Sequence, residues 1–522
     1  MSRGPDPGPA PAPDHWWHDR RGRIRAGMAL ASGLLLSAAF PPVDAAVLAL
    51  PAMAGILASW RGTSPGRAAA FGFLAGLGFF GVLLSWTWYF GAVAIVPLVA
   101  AQAAYWAGAA FLDGLIARAG IRCSWLTAAI WVLFEALRDR WPLGGFAWGE
   151  VGGAFHDLGP AHALASWGGV PLISLLLVAT AGLLVTGATA VLRRRRRATV
   201  LAAAGLAVVV LVTGVAGLTR YEPRPSGRLR VAMLQGNRWD RYLTDEEVDS
   251  ELLTRSHLAL AATLRGPYDL IVFPESALDT DPEEDPALRA ELREVGRRHG
   301  AAVLVNVRAE DGDREYNMNR LYDPGGKLQG NYAKQHLVPF GEYVPFRALV
   351  GWLPQIREHV ATDFTPGDRS AVFRVAGHRV GTVICFESAF APLVRRSVRD
   401  GAEVVVVSTN NRSYRRSANS AQHVALSQLR AAETGRPVLQ AAISGITAVI
   451  DASGRVRSRT RLFHNQVVST EVQTTTGRTP YVRFGDWVVA LSAVALGVAI
   501  VAAVRRRMVA SGPRRTAEEN PS

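Results

Sequence analysis

Apolar residues dominate this chain in long unbroken runs up to about Leu218, thin out between Arg228 and about Thr470, and return from Trp487 to Val504. A helix that crosses a bilayer needs roughly 20 apolar residues. Eight segments approach that requirement: 27–40, 43–59, 68–90, 91–117, 124–137, 167–192, 198–218 and 487–504. The stretch between them alternates differently. Short β-rich runs (Leu229–Gln235, Leu270–Phe273, Ala302–Val305, Val380–Ile384, Val404–Val407) alternate with polar, helix-like stretches at 285–299 and 418–434. Strands that alternate with helices predict a layered α/β domain, and strands apolar on both faces predict burial on both sides. The expected order is a Pro/Gly-rich disordered tail (1–23), a membrane domain of about seven helices (24–220), a water-exposed α/β domain (228–472), one further membrane helix (485–504) and a disordered tail (508–522). No apolar core with a small-residue cleavage site precedes the first span, so no cleaved signal peptide is expected.

Charge fixes the expected orientation. The chain carries a net charge of +14, a balance that in other settings points to nucleic acid. Here the arginines flank apolar segments: Arg25, Arg61, Arg67, Arg118, Arg122, Arg193–Arg197 and Arg505–Arg507. With a cytoplasmic N-terminus all of these fall on the cytoplasmic side, as the positive-inside rule requires. The α/β domain then faces outwards, and no nucleic-acid partner is expected. Arg138 and Arg140 are the exception. Gln102 and Glu135 are polar groups inside spans, and Glu135 is close enough to a span end to reach headgroups.

Three motifs at strand ends carry candidate chemistry. Phe273-Pro-Glu275-Ser places a carboxylate after a buried strand, where α/β sites form. Lys334, one of only two lysines in the chain, shares a Pro/Gly-shaped loop with Glu342. In Val380–Ser388 a strand runs straight into Cys385, with Glu387 two residues on. The chain has two cysteines, Cys123 and Cys385, in different parts of the sequence, so no disulfide framework is indicated. No His/Cys cluster has metal-ligand spacing.

Glu275, Lys334 and Cys385, in that order, resemble the Glu-Lys-Cys triad of the nitrilase, or carbon–nitrogen hydrolase, superfamily. The segments KQHLVPFGEYVPF (334–346), VGTVICFES (380–388), RAAETGRPVLQAAISGITAVID (430–451) and LQGN (234–237) resemble the apolipoprotein N-acyltransferase family over nearly the whole chain. That resemblance implies an αββα sandwich outside the cytoplasmic membrane. It implies transfer of an acyl chain from a glycerophospholipid, through a Cys385 thioester, to the α-amino group of a diacylglyceryl-cysteine on an apolipoprotein, with no metal or organic cofactor. It further implies Glu275 as base, Lys334 at the oxyanion, Glu342 and Glu387 in support, and Trp148, Trp239, Asn317, Tyr343, Phe386 and Asn410 around the substrate. The chain departs from the family at Phe386 (usually Tyr), at Asn411–Ser417 (usually Asp and aromatics in a lid) and at Ser444 (usually Asn). Two other readings stand beside this one: a membrane-tethered amidase, and a non-enzymatic scaffold for a polyprenol-phosphate mannose synthase.

Overall fold

A computed structural model describes residues 19–241, 243–350 and 362–510; most of each tail expected at the termini lies outside these residues. All eight apolar segments are helical: α1 (Arg20–Ser37), α2 (Ala49–Trp60), α3 (Pro65–Leu83), α4 (Ala92–Arg118), α5 (Ser124–Arg138), α6 (Gly159–Leu192), α7 (Arg196–Leu218) and, after the α/β domain, α12 (Trp487–Ala510). Five of them (α3, α4, α6, α7 and α12) are long and apolar enough to cross a membrane. The other three fall short of that measure, α2 and α5 by length and α1 by charge. Helix α2 has 12 residues and α5 has 15, about 18 and 22 Å against a hydrocarbon core of about 30 Å. Helix α1 opens with Arg20, Arg21, Arg23 and Arg25. The segment 68–90 also divides. Helix α3 stops at Leu83, and 85–90 form a 3-10 turn carrying Trp86 and Phe90.

Glu135 and Arg138 are buried inside the protein, whereas Arg140, the other arginine outside the charge pattern, is exposed and pairs with Asp486. Glu135 is almost fully buried and accepts from Trp131 Nε1 (3.1 Å) and Val151 N (2.8 Å), so it does not reach headgroups. Arg138 is 1% exposed and donates to the Trp148 carbonyl (2.6 Å). An arginine consumed by the protein interior does not vote on topology, which accounts for its place outside the pattern.

The soluble part is a four-layer αββα sandwich. One sheet has the order β12-β1-β2-β3-β4-β5, the other β11-β10-β9-β8-β7-β6. The strands are β1 (Arg224–Gln235), β2 (Leu270–Val272), β3 (Ala302–Asp311), β4 (Arg314–Tyr322), β5 (Leu328–Ala333), β6 (Val372–Val375), β7 (His378–Ile384), β8 (Val404–Thr409), β9 (Val438–Ala442), β10 (Ala448–Ile450), β11 (Val456–Arg459) and β12 (Gln466–Thr476). Strand β8 shows why its sequence is uninterrupted valine. Val404 and Val406 face the opposing sheet, while Val405 and Val407 face the outer helices, as the two-residue period of a strand demands. Helices α8 (Leu252–Ala262) and α9 (Pro286–His299) cover the first sheet; α10 (Ala391–Arg399) and α11 (Asn419–Thr434) cover the second.

Helix α11 is also the joint with the membrane part, since Leu429 and Ala432 pack in one apolar cluster with Leu164, Val170 and Ile173 of α6. Helix α6 kinks at Gly169 (φ 69°, ψ −172°), two residues before Pro171. Glycine tolerates that backbone conformation, and proline supplies no N–H to the ladder. The Val170 N–H freed by the kink is taken by Glu433 Oε1 of α11 at 3.0 Å, and Glu433 also pairs with buried Arg430 (2.9 Å). Replacing Glu433 with Ala strands both partners. The expected cost is about 3–5 kcal/mol, typical of breaking a buried ion pair, read as a lowered midpoint of thermal unfolding in detergent.

Candidate active site

Four chain segments converge at the C-terminal ends of β2, β5, β7 and β8. Glu275 lies three residues past β2 and Lys334 immediately after β5. Cys385 follows β7 with φ at 52°, a left-handed conformation uncommon for a side chain with a Cβ. The strand therefore cannot continue, and the chain turns into a 3-10 helix, Cys385–Ala389. Ser276 (58°) and Phe340 (61°), beside Glu275 and Glu342, share that conformation. Residues held in sparsely populated backbone regions cluster at functional sites, and here they flank the groups that carry charge.

The central feature is one cation between two carboxylates. Lys334 Nζ lies 2.8 Å from Glu342 Oε1 and 3.4 Å from Glu275 Oε1, and the lysine is 1% exposed. Asn317 Nδ2 donates to both carboxylates at 2.8 Å. Asn317 is itself fixed by Asn306, whose Nδ2 donates to its Oδ1 at 2.7 Å. The second oxygen of Glu275 accepts from Asn410 N (2.7 Å), and that of Glu342 from Val338 N (2.8 Å). Burial alone would lower the lysine pKa. Glu275 and Glu342 overcome it and hold the ammonium well above its ordinary value. The lysine is thus a fixed positive charge, not a base.

Cys385 is buried beside this cluster. Desolvation, with the Glu275 charge adding to it, pushes the thiol up to about 12; Lys334, the Thr409 hydroxyl and the Asn410 amide offset only part of the rise. The sulfur is a neutral thiol near neutral pH and needs a neighbouring base to become a nucleophile.

Glu387 ties the cysteine turn to the lysine loop. Its carboxylate accepts from Ile384 N (2.7 Å), Gln335 N (2.7 Å), His336 N (3.0 Å) and Tyr332 Oη (2.8 Å). Two of those donors directly follow Lys334, so this carboxylate sets the separation of lysine and cysteine.

An aromatic run leads from the site into the membrane part. Phe386 stacks on Trp148 (6.3 Å between ring centroids) and packs on Phe146 and Phe390; Trp148 meets Trp86 at 5.4 Å. Gln422 of α11 joins these elements. Its Oε1 accepts from Trp86 Nε1 (3.1 Å) and Trp148 Nε1 (2.8 Å), and its Nε2 donates to the carbonyls of Pro41 and Leu83. The segment after Asn410 docks on the same surface, with Tyr414 edge-on to Trp86 (4.9 Å) and Phe90 (5.6 Å). Arg415 and Arg416 reach Asp240.

Of the residues singled out in the sequence, Glu275, Lys334, Cys385, Glu342, Glu387, Asn317 and the Asn410 amide meet in one cluster, with Phe386 and Trp148 at its edge. Trp239 contacts Asn237 and the Arg238 guanidinium, and Tyr343 contributes a backbone carbonyl that accepts from Phe340 N. Sequence reasoning passed over Gln422, His423, Thr409 and Tyr414. The adjacent Gln-His pair on a helix that follows the Asn410 loop was the available signal.

Residues 32–183 match the family model for the apolipoprotein N-acyltransferase N-terminal domain, and residues 230–481 match that for carbon-nitrogen hydrolase. A protein of Methylococcus capsulatus named apolipoprotein N-acyltransferase is 33% identical, over 94% of this chain and 98% of its own length. One of Geobacter metallireducens with the same name is 32% identical, over 92% and 95%. The chain belongs to the apolipoprotein N-acyltransferase family. Among solved structures, an amidase from Nesterenkonia sp. aligns with 50% of this chain and 94% of its own at 18% identity and a TM-score of 0.34. The αββα layers and the match to the hydrolase family place the α/β domain in the nitrilase superfamily, and α1–α6 fall largely within the match to the apolipoprotein N-acyltransferase N-terminal domain.

The raised thiol pKa predicts how free Cys385 reacts. In a Cys123→Ser background, which removes the exposed second cysteine, alkylation of Cys385 by iodoacetamide rises by about tenfold per pH unit from pH 7 to 9.5. No plateau is expected near the ordinary thiol value of about 8.5, because the thiolate fraction still grows as pH climbs towards the raised value. Intact-mass time courses at each pH provide the measurement.

Proposed function

We propose that this protein transfers an acyl chain from a glycerophospholipid to the α-amino group of the N-terminal diacylglyceryl-cysteine of apolipoproteins, through a thioester on Cys385. The observation that supports this reading most is Cys385 lying beside a lysine-clamped pair of carboxylates, at the end of an aromatic run that begins in the membrane part. Both substrates are anchored by acyl chains, at roughly 0.8 kcal/mol per buried CH₂. A site for them must open towards the bilayer, and the Trp86–Trp148–Phe386 run provides an apolar approach.

Glu275 takes the thiol proton as Cys385 attacks the ester carbonyl. Lys334 and nearby backbone N–H groups stabilise the negative charge that develops on the carbonyl oxygen. The tetrahedral intermediate expels the lysophospholipid alkoxide, which receives the proton from Glu275. In the second half the α-amino group attacks the thioester and gives a proton to Glu275. The amide forms, and the cysteine leaves as thiolate and regains its proton from Glu275. Ester and amine become alcohol and amide with no net proton change. Glu342 holds the lysine, Glu387 holds the loop, and Asn317 keeps both carboxylates oriented.

The orientation belongs to the same proposal. The N-terminus and the arginine-rich loops lie in the cytoplasm, and the α/β domain lies on the outer face of the bacterial cytoplasmic membrane. The relatives carry a transferase name, which favours transfer over hydrolysis. A synthase-scaffold role draws no support from them.

Intact-mass analysis of the purified protein in phospholipid tests the reading. A mass gain of one acyl chain is expected, released by hydroxylamine and absent in Cys385→Ala. A folded wild-type protein that never acquires the adduct under rapid quench would refute it. Lys334→Met is expected to slow adduct formation by about 10²–10³-fold, the effect of losing an oxyanion partner, as followed by quench-flow mass spectrometry.

A further inference from the structure

Thr409, the last residue of β8, is fully buried, so no bulk water competes for its hydroxyl. That hydroxyl has one proton and three acceptors at 3.3 Å: Cys385 Sγ, Asn411 Oδ1 and His423 Nδ1. His423 decides between them. Its Nε2 lies 3.1 Å from the Cys385 carbonyl oxygen and 2.7 Å from Ser388 Oγ. A carbonyl oxygen only accepts, so Nε2 carries the proton and the neutral ring leaves Nδ1 as an acceptor. Burial keeps the ring neutral, pushing it down to about 4.

Nδ1 already has a donor in Asn411 Nδ2 at 3.2 Å, and the same amide nitrogen donates to Asn419 Oδ1 at 2.7 Å. Asn411 packs closely on Gly445. A Cβ on Gly445 would stand 2.7 Å from its Oδ1, which is why this wall is glycine. With Nδ1 served, the Thr409 proton is shared between Asn411 Oδ1 and the sulfur, and of these two only the sulfur acquires a charge in the reaction. A hydrogen bond there strengthens once the sulfur is charged.

We propose that Thr409 is a further catalytic residue of this site: its hydroxyl donates to the Cys385 sulfur as charge develops there and stabilises the thiolate, while His423, its Nδ1 occupied by the Asn411 amide, does not take that proton. The inference rests on the reading of Cys385 as the nucleophile. No proton leaves Thr409. The thiol proton goes to Glu275, and the Thr409 O–H bond stays intact while its hydrogen bond to sulfur strengthens in the thiolate and weakens in the thioester. The same donor therefore aids expulsion of the thiolate when the amine displaces it. Because the thiol lies far above neutral pH, stabilising the thiolate adds more reactive species than it removes in intrinsic nucleophilicity.

The test uses full-length protein in detergent micelles, in the Cys123→Ser background, with iodoacetamide alkylation of Cys385 followed by intact mass. Thr409→Val keeps the shape and removes the donor. It is expected to slow alkylation by about three- to tenfold at every pH from 7 to 9.5, the size set by a hydrogen bond to a charged group less the compensating gain in nucleophilicity. Thr409→Ser, which keeps a hydroxyl, is expected to stay within about twofold of the parent. If the valine variant loses its monodisperse peak on size exclusion, Thr409→Ala replaces it, with the same slowing expected. Alkylation at the parent rate in the variant without a hydroxyl would overturn the proposal, and so would a serine variant as slow as the valine one. No acyl donor takes part, so failure here is separate from failure to form the acyl adduct.

Discussion

One buried ammonium between two carboxylates is the interaction on which the rest of this structure depends. Lys334 has left water almost completely, a change that costs several kcal/mol per ion unless the partners are well placed. They are placed by backbone. Asn410 N holds one oxygen of Glu275, Val338 N holds one of Glu342, and Asn317 bridges the two carboxylates. The cluster requires β2, β5 and β8 to end beside Asn317 of β4, so the geometry of the sandwich and the geometry of the charges are one constraint. The neutral, desolvated thiol beside it follows from the same dryness. A site that excludes water strengthens every charge inside it and penalises a second anion next to Glu275.

Helix α11 carries that constraint into the membrane part. Within four turns it presents Gln422 to the tryptophans of the membrane domain, His423 to the cysteine turn, Gln428 to His156 and Asp157, and Glu433 to the kink in α6. Polar groups buried between two domains must find partners, and such pairings give specificity of docking more than stability. The two halves are therefore held in one relative position by hydrogen bonds with narrow geometric tolerance. Their apolar faces alone would permit sliding. Cys385 is held at a fixed place relative to the membrane helices because this helix serves both surfaces.

The residues after Asn410 illustrate how a departure from family pattern is absorbed. This stretch is basic, yet Tyr414 seats its ring against Trp86 and Phe90, and Arg415 and Arg416 turn to Asp240. The aromatic body needed at the approach to the site is retained while the charge is directed away from it. At Phe386 the ring likewise persists against Trp148 without its hydroxyl, since packing there uses the face of the ring.

The sequence by itself determined the division into apolar and mixed segments, the strands carrying Glu275 and Cys385, and helix α11 to within one residue. Each rests on local periodicity or on an uninterrupted apolar run. The Glu-Lys-Cys order was legible because each residue follows an apolar strand or sits in a distinctive loop. Sequence placed Glu135 near the headgroups, and only packing shows Glu135 and Arg138 turned inward. It also missed the polar strands β4 and β12, whose pairing is set by partners far along the chain. Only the tertiary structure decided that Thr409, His423 and Gln422 share a site with Cys385, because hydrogen bonds across 24 to 336 residues of chain leave no mark on local pattern. Chemistry-bearing residue types announce themselves in a sequence; the buried donors that aim them exist only once the layers have closed.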